Sequence, residues 1–176
     1  MLQRFLVLGL LIAIGSGASA EDKPTKAPVE PHAGLERLKK LAGTWVAADK
    51  DGKPTDQIVS IIKVTAGGST VQETIFPGQP QEMLSVYHCD GADLIMTHYC
   101  VLGNQPRMKA DPKSPPNQIR FLFAGGTNLD PAKDTHMHEG TLSFIDADHI
   151  EIGGVAWVAG KPSEEHCAKM KLVRKK

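Results

Sequence analysis

Residues 82–102 read EMLSVYHCDGADLIMTHYCVL, and this stretch decides the expected fold. It contains two runs rich in β-branched, aromatic and other apolar residues, Glu82–Cys89 and Asp93–Leu102. The dipeptide Asp90-Gly91 between the runs is typical of the tight turn that joins two antiparallel strands. The stretch therefore predicts a β-hairpin.

Similar runs, separated by Gly, Pro, Asn or Asp, occupy most of the chain on both sides of this hairpin. The other predicted strands are Thr44–Ala48, Gln57–Val64, Thr70–Phe76, Gln118–Ala124, His138–Ile145, His149–Val158 and Glu165–Val173. Short turns between sequential strands indicate an antiparallel meander, which usually closes on itself because open strand edges invite aggregation. We expect an all-β fold, a barrel of about 8–10 strands.

The first 20 residues have the composition of a secretory signal peptide. Arg4 precedes an apolar run of residues 5–14, and the stretch ends in Ala-Ser-Ala before Glu21. A run of this length is shorter than the ~20 apolar residues that span a bilayer. The pattern predicts cleavage near Ala20 and an exported protein, periplasmic or secreted; an uncleaved membrane anchor is the alternative.

Two further segments precede the strands. Residues 21–32 are rich in proline and charge without apolar periodicity, and we interpret them as a flexible leader. In Ala33–Leu41 three leucines recur every third residue before Gly43, which predicts a short amphipathic helix. Residues 33–176 are therefore expected to form one domain.

The composition excludes several classes of function. The chain has 20 Lys and Arg and 20 Asp and Glu; removal of residues 1–20, which hold Arg4 and no acid, leaves 19 basic and 20 acidic residues. This balance supplies no basic field for nucleic acid. Three cysteines are too few for a disulfide scaffold. No Gly-x-Ser-x-Gly, Walker or His-Glu-x-x-His motif is present, so the sequence favours a binding protein over an enzyme.

Residues 103–117 read GNQPRMKADPKSPPN and interrupt the series of strands. A connection of this length without its own structure is uncommon in a compact domain and is often a functional lid or a disordered loop. We expect a loop here, with a ligand entering the barrel beside it. Arg107 is a candidate to bind an anionic ligand at the mouth of the barrel, and a solvated arginine is the alternative.

Alternate residues of a strand face opposite sides, so the apolar positions predict which histidines point inward. Leu84 and Val86 place His88 inside and leave Ser85, Tyr87 and Cys89 outside. By the same rule Leu94 and Met96 place His98 and Cys100 inside, although the opposite assignment is nearly as plausible. The other inward histidines expected from their strands are His138 and His166, with Cys167 outward.

Four inward histidines raise two alternatives. Imidazole and thiolate are ligands of zinc and iron, so His88, His98, His138, His166 and Cys100 are candidates for a zinc or haem site. Their spacing matches no established metal motif, and only His136-x-His138 places two ligands close together. The alternative is that these histidines form hydrogen bonds inside the barrel or contact a ligand.

The three cysteines are Cys89, Cys100 and Cys167. A disulfide between Cys89 and Cys167 is possible if their strands are neighbours, since both are predicted to face outward. Three reduced thiols are the alternative.

Residues 41–45, LAGTW, place Gly-x-Trp at the end of a short helix and the start of the first strand. This resembles the opening of lipocalin-like (calycin) barrels. Segments 87–91 (YHCDG), 97–108 (THYCVLGNQPRM) and 127–138 are similar to a family of exported bacterial lipocalin-like proteins of unknown function. The resemblance covers most of the mature chain. It implies that Trp45 closes the barrel floor and that the barrel holds a small apolar or amphipathic ligand, and it assigns no catalytic residue.

The sequence thus predicts an exported small-molecule-binding barrel. The expected ligand contacts are His88, His98, Tyr99, Arg107, His138 and His166. A metal- or haem-dependent protein or enzyme using the same histidines is one alternative, and a structural or interaction module of the cell envelope is another. The oligomeric state is left open.

Overall fold

The computed structural model describes residues 32–176, apart from the side chain of His166. The predicted signal peptide and all of the predicted leader except His32 lie outside the described residues. The elements are α1 (Ala33–Lys39), β1 (Gly43–Ala48), β2 (Pro54–Thr65), β3 (Thr70–Ile75), β4 (Met83–Asp90), β5 (Asp93–Tyr99), β6 (Gln105–Ala110), β7 (Gln118–Thr127), β8 (His136–Phe144), β9 (His149–Val158) and β10 (Lys161–Arg174).

The ten strands form one closed antiparallel barrel in which every strand pairs with its neighbours in the chain. The barrel closes where β1 pairs with β10, with Trp45 opposite Arg174 and Ala47 opposite Leu172. This confirms the all-β barrel and its strand number. It also confirms the hairpin of β4 and β5, in which Asp90 lies opposite Asp93 and Gly91 has a positive φ of 60° in the turn.

The helix α1 covers one end of the barrel. Its N-terminus is capped by the ring of His32, which accepts a hydrogen bond from the backbone N–H of Gly34. Leu35, Leu38 and Leu41 are buried and belong to the same apolar core as the inner faces of the strands. The predicted amphipathic helix is confirmed.

Trp45 is completely buried beneath this helix. Its indole N–H donates to the carbonyl oxygen of Leu41 at 2.8 Å, and the Arg174 guanidinium lies 4.4 Å from the centre of its ring. The same guanidinium donates to the carbonyl oxygens of Lys40 and Ala42. Trp45 and Arg174 therefore fasten the segment after α1 to the strands that close the barrel.

The predicted loop 103–117 is wrong in its first half, because residues 105–110 form β6 between β5 and β7. Met108 is fully buried on the inner face. On the outer face Arg107 and Lys109 form ion pairs with Asp90 and Asp93 of the neighbouring hairpin. The strand contains one proline and two cations in six residues, so its sequence does not show the alternation of apolar residues that predicts a strand. The acids that pair with the two cations belong to other strands and can be identified only from the tertiary structure.

Within residues 32–176, no helix is both long enough and apolar enough to cross a lipid bilayer.

Candidate functional site

The barrel encloses a cavity of about 160 Å³, which we call the interior cavity. Its walls are mainly apolar and include four of the six methionines of the chain: Met83, Met96, Met137 and Met170. Gly140 and Gly154 also line the cavity and leave room for the methionine side chains; a Cβ atom at Gly140 would lie 3.1 Å from the terminal methyl of Met96. Ala168, which lines the cavity, is exposed, so the cavity is accessible to solvent.

A row of polar side chains crosses one wall of the interior cavity. Glu73, Ser85 and His98 lie directly opposite one another on β3, β4 and β5, so the three side chains share one rung of the sheet. The Ser85 hydroxyl lies 3.0 Å from Nδ1 of His98. All three residues are buried and line the cavity. The row therefore places hydrogen-bonding groups in an otherwise apolar wall, as ligand pockets commonly do.

Glu73 is bound by two hydroxyl groups. Ser60 donates to its Oε1 at 2.7 Å, and Tyr87 donates to its Oε2 at 2.6 Å. Burial, reinforced by the charge of Glu73, raises the pKa of Tyr87 well above its ordinary value, so the phenol keeps its proton and remains a donor. Both carboxyl oxygens are thus held in place, as a buried acid requires.

His98 is only 3% exposed, and this burial lowers its pKa to about 4. The imidazole is therefore neutral at pH 7. Its Nδ1 is engaged by Ser85, whereas no described residue forms a hydrogen bond with its Nε2. One polar ring atom of His98 thus remains available beside the interior cavity.

The structure reverses the predicted faces of β4. Ser85 and Tyr87 line the interior cavity, and the alternation of the strand puts His88 on the outer face, opposite Ile95. The prediction is wrong because the inner face carries the polar row, while Leu84 and Val86 occupy the outer face. Apolar character alone therefore selected the wrong side.

On β5 the first of the two predicted assignments holds for Met96 and His98, which line the cavity, whereas Cys100 follows the end of the strand and does not line it. Tyr99 consequently lies on the outer face opposite Leu84 and is 47% exposed. Arg107 is also exposed and pairs with Asp90 at 2.8 Å. Neither Tyr99 nor Arg107 lines the interior cavity, and neither does any residue of the stretch 103–117.

His138 does not line the cavity, because the pairing of β8 with β9 shifts by one residue between Met137 and Glu139. This β-bulge brings Met137 to the cavity wall in its place. The His138 ring stacks on Trp157, with 3.7 Å between ring centres, and its Nδ1 lies 2.9 Å from Nε2 of the buried His136. Burial, together with the charge of His136, lowers the pKa of His138.

The expected convergence of four histidines is not present in the part of the chain that is described. His88 is outside the barrel, His98 faces the cavity, and His138 belongs to a separate ring cluster; the side chain of His166 lies outside the described residues. No group of three His, Cys, Asp or Glu side chains among residues 32–176, as described, is arranged to hold a metal ion.

The cysteines Cys89, Cys100 and Cys167 are all free thiols. Cys89 belongs to β4 and Cys167 to β10, and these strands are not neighbours in the barrel. Cys89 also packs against the core, on the same face as Ser85 and Tyr87, instead of facing outward. Burial raises the pKa of its thiol.

Glu73, Ser85 and Tyr87 were missed as candidates. Glu73 carried a detectable signal: it stands between Val71 and Ile75, at alternate positions of a predicted strand, so an acid shares the apolar face. An acid at such a position indicates either that the face of the strand was assigned wrongly or that the acid is a buried functional group. Ser85 and Tyr87 carried no comparable signal, because the neighbouring Leu84 and Val86 are more apolar.

Comparison with known proteins adds no family to this description: the sequence matches no protein-family model and no curated protein sequence.

Proposed function

We propose that the protein is an exported, lipocalin-like binding protein that holds a small, mostly apolar ligand in the interior cavity. The observation that carries this proposal is an apolar cavity inside a closed barrel, with a few buried polar side chains on one wall. Binding sites for small molecules have this composition. Among the predicted ligand contacts whose side chains are described, His98 is the one on the cavity wall.

The cavity volume sets the size of the ligand. A cavity of about 150 Å³ in another protein binds benzene, and this one has about 160 Å³. Methionine side chains are flexible and polarizable, so a wall with four of them can adapt to ligands of different shape. A single substituted benzene ring, or an aliphatic molecule of similar size, is the expected ligand.

Binding can be tested with p-xylene as the probe and NMR of ¹³C-labelled methionine methyl groups as the measurement. We expect the resonances of Met83, Met96, Met137 and Met170 to shift on addition of p-xylene. Met108 is fully buried and does not line the cavity, but it pairs with Met96, so its resonance should shift less than the four cavity resonances.

A pair of leucine variants makes this test specific. Gly154→Leu should fill the cavity and abolish the shifts; a Cβ atom at this position has only ordinary contacts, the nearest being Met137 Sδ at 3.5 Å. Ala124→Leu on the exposed part of β7 is the matched control and should bind as the natural chain does. If neither p-xylene nor p-cresol shifts any cavity methionine, binding in the interior cavity is excluded.

Export rests on residues 1–20 and is tested separately. We expect the full chain, expressed in a Gram-negative bacterium, to be recovered from the periplasm with Glu21 as its first residue. The signal peptide then accounts for the loss of 20 of the 176 residues. Intact-mass measurement and N-terminal sequencing check this, and a chain starting at Glu21 without the signal should stay in the cytoplasm. A product that retains Met1 and sediments with membranes would contradict cleavage.

A further inference from the structure

We propose that the interior cavity selects uncharged molecules that carry a hydroxyl group, such as methylphenols, and rejects carboxylates of the same size. This inference rests on the proposed binding function and adds the chemical class of the ligand. It is carried by two features of the polar row, the buried acid Glu73 and the unpartnered Nε2 atom of His98.

The first feature is the buried carboxyl group of Glu73, whose hydrogen-bond partners are hydroxyl groups and not cations. Glu73 is 6% exposed and lines the cavity, and its two oxygens are bound by hydroxyl groups of Ser60 and Tyr87. No lysine or arginine is among the described residues that line the cavity. A ligand carboxylate would have to lose its water and lie near a second acidic group with no opposite charge to compensate it. The cavity therefore disfavours anions, including fatty acids.

The second feature is a hydrogen-bonding atom that has no protein partner. His98 is buried, with 3% of its surface exposed, and its Nδ1 lies within hydrogen-bonding distance of the Ser85 hydroxyl. In a neutral imidazole Nε2 is either an N–H donor or a lone-pair acceptor, depending on which nitrogen holds the proton. A hydroxyl group satisfies both states, because it can donate and accept. A ligand that has only apolar groups would leave Nε2 unpaired in an apolar cavity, which costs binding energy.

Three compounds with one tolyl skeleton test this selection: p-cresol carries a hydroxyl group, p-xylene a methyl group and p-toluate a carboxylate. Calorimetric titration of the mature chain at pH 7, with the methionine NMR spectrum to locate the ligand, measures each affinity. We expect p-cresol to bind about tenfold more tightly than p-xylene, as one satisfied hydrogen bond predicts. No binding of p-toluate should be detected at a concentration that saturates the protein with p-cresol.

Two variants assign the selection to its residues. In His98→Leu the affinity for p-cresol should fall to that for p-xylene, while p-xylene binding persists and shows that the cavity is intact. In Glu73→Gln, which keeps the shape and an acceptor oxygen, p-toluate binding should become measurable. Glu151→Gln is the matched control, since Glu151 pairs with Lys169 at 3.0 Å and does not line the cavity. It should still exclude p-toluate.

The outcomes separate this inference from the proposed function. Equal affinities for p-cresol and p-xylene, or tight binding of p-toluate by the natural chain, would overturn the selection and leave binding in the cavity standing. Failure of all three compounds to shift the cavity methionines would overturn both. The natural chain and His98→Leu suffice for this decision if Glu73→Gln does not fold.

Discussion

Replacement of Trp45 with alanine is expected to lower the free energy of unfolding by about 3–5 kcal/mol, the usual loss for a fully buried tryptophan. Trp45 has no exposed surface, and it packs in the same core as the leucines of α1. The substitution leaves a cavity and removes the hydrogen bond to the Leu41 carbonyl. It also removes the ring over which the Arg174 guanidinium lies. Helix, barrel closure and core are therefore weakened together.

Urea denaturation followed by circular dichroism measures this loss. Trp157→Ala is the matched control, because Trp157 is only half-buried and stacks mainly on His138. Its loss should be clearly smaller. A double-mutant cycle with Arg174→Ala should give a coupling of about 0.5–2 kcal/mol between Trp45 and Arg174, the range for a cation–π pair. Equal losses for the two tryptophan variants would show that Trp45 does not hold the end of the barrel.

Acid is expected to destabilise the fold through His98, by about 3 kcal/mol between pH 6.5 and pH 4. Burial holds the pKa of this imidazole at about 4 in the folded protein, against an ordinary value of 6.5. Well above pH 6.5 the imidazole is neutral in both the folded and the unfolded protein. In that range it therefore adds nothing to the pH dependence of the free energy of unfolding. As the pH falls toward 4, the unfolded chain binds a proton that the folded protein does not bind, so the free energy of unfolding decreases.

The comparison of the natural chain with His98→Gln isolates this contribution, because glutamine can keep a hydrogen bond with Ser85 and does not titrate. The difference in unfolding free energy between the two proteins should change by about 3 kcal/mol from pH 7 to pH 4. His88→Gln is the control for the loss of a histidine as such, since His88 lies on the outer face of β4, opposite Ile95. The acid sensitivity assigned to His98 should persist in that variant. A parallel pH profile for His98→Gln would show that His98 is not the buried titrating group.

Much of the fold could be predicted from local patterns. Alternating apolar residues and turn dipeptides located nine of the ten strands, and the leucine spacing located α1. These features depend on neighbours in the sequence, so a local pattern contains the needed information. β6 escaped because its charged residues find their partners in β4 and β5. No property of residues 105–110 taken alone reveals those partners.

The candidate site could be predicted only in part. For His98 the sequence left both faces of β5 open, and the structure places it on the inner face together with Met96. His88 was assigned to the wrong side because the polar row makes the inner face of β4 less apolar than the outer face. His138 was assigned wrongly because one extra residue in β8 shifts the alternation. Both errors arise where the barrel interior departs from an apolar, regularly alternating wall.

The sequence by itself therefore determined nine of the ten strands and the helix, since propensity, periodicity and turn chemistry act over a few residues. The tertiary structure alone decided which side chains meet across the sheet. Glu73, Ser85 and His98 are separated by 12 and 13 positions in the chain, yet the register of β3, β4 and β5 places them on one rung. Register is fixed by the pairing of whole strands and the closure of the barrel, because a shift of one residue would move every side chain of a strand to the opposite face.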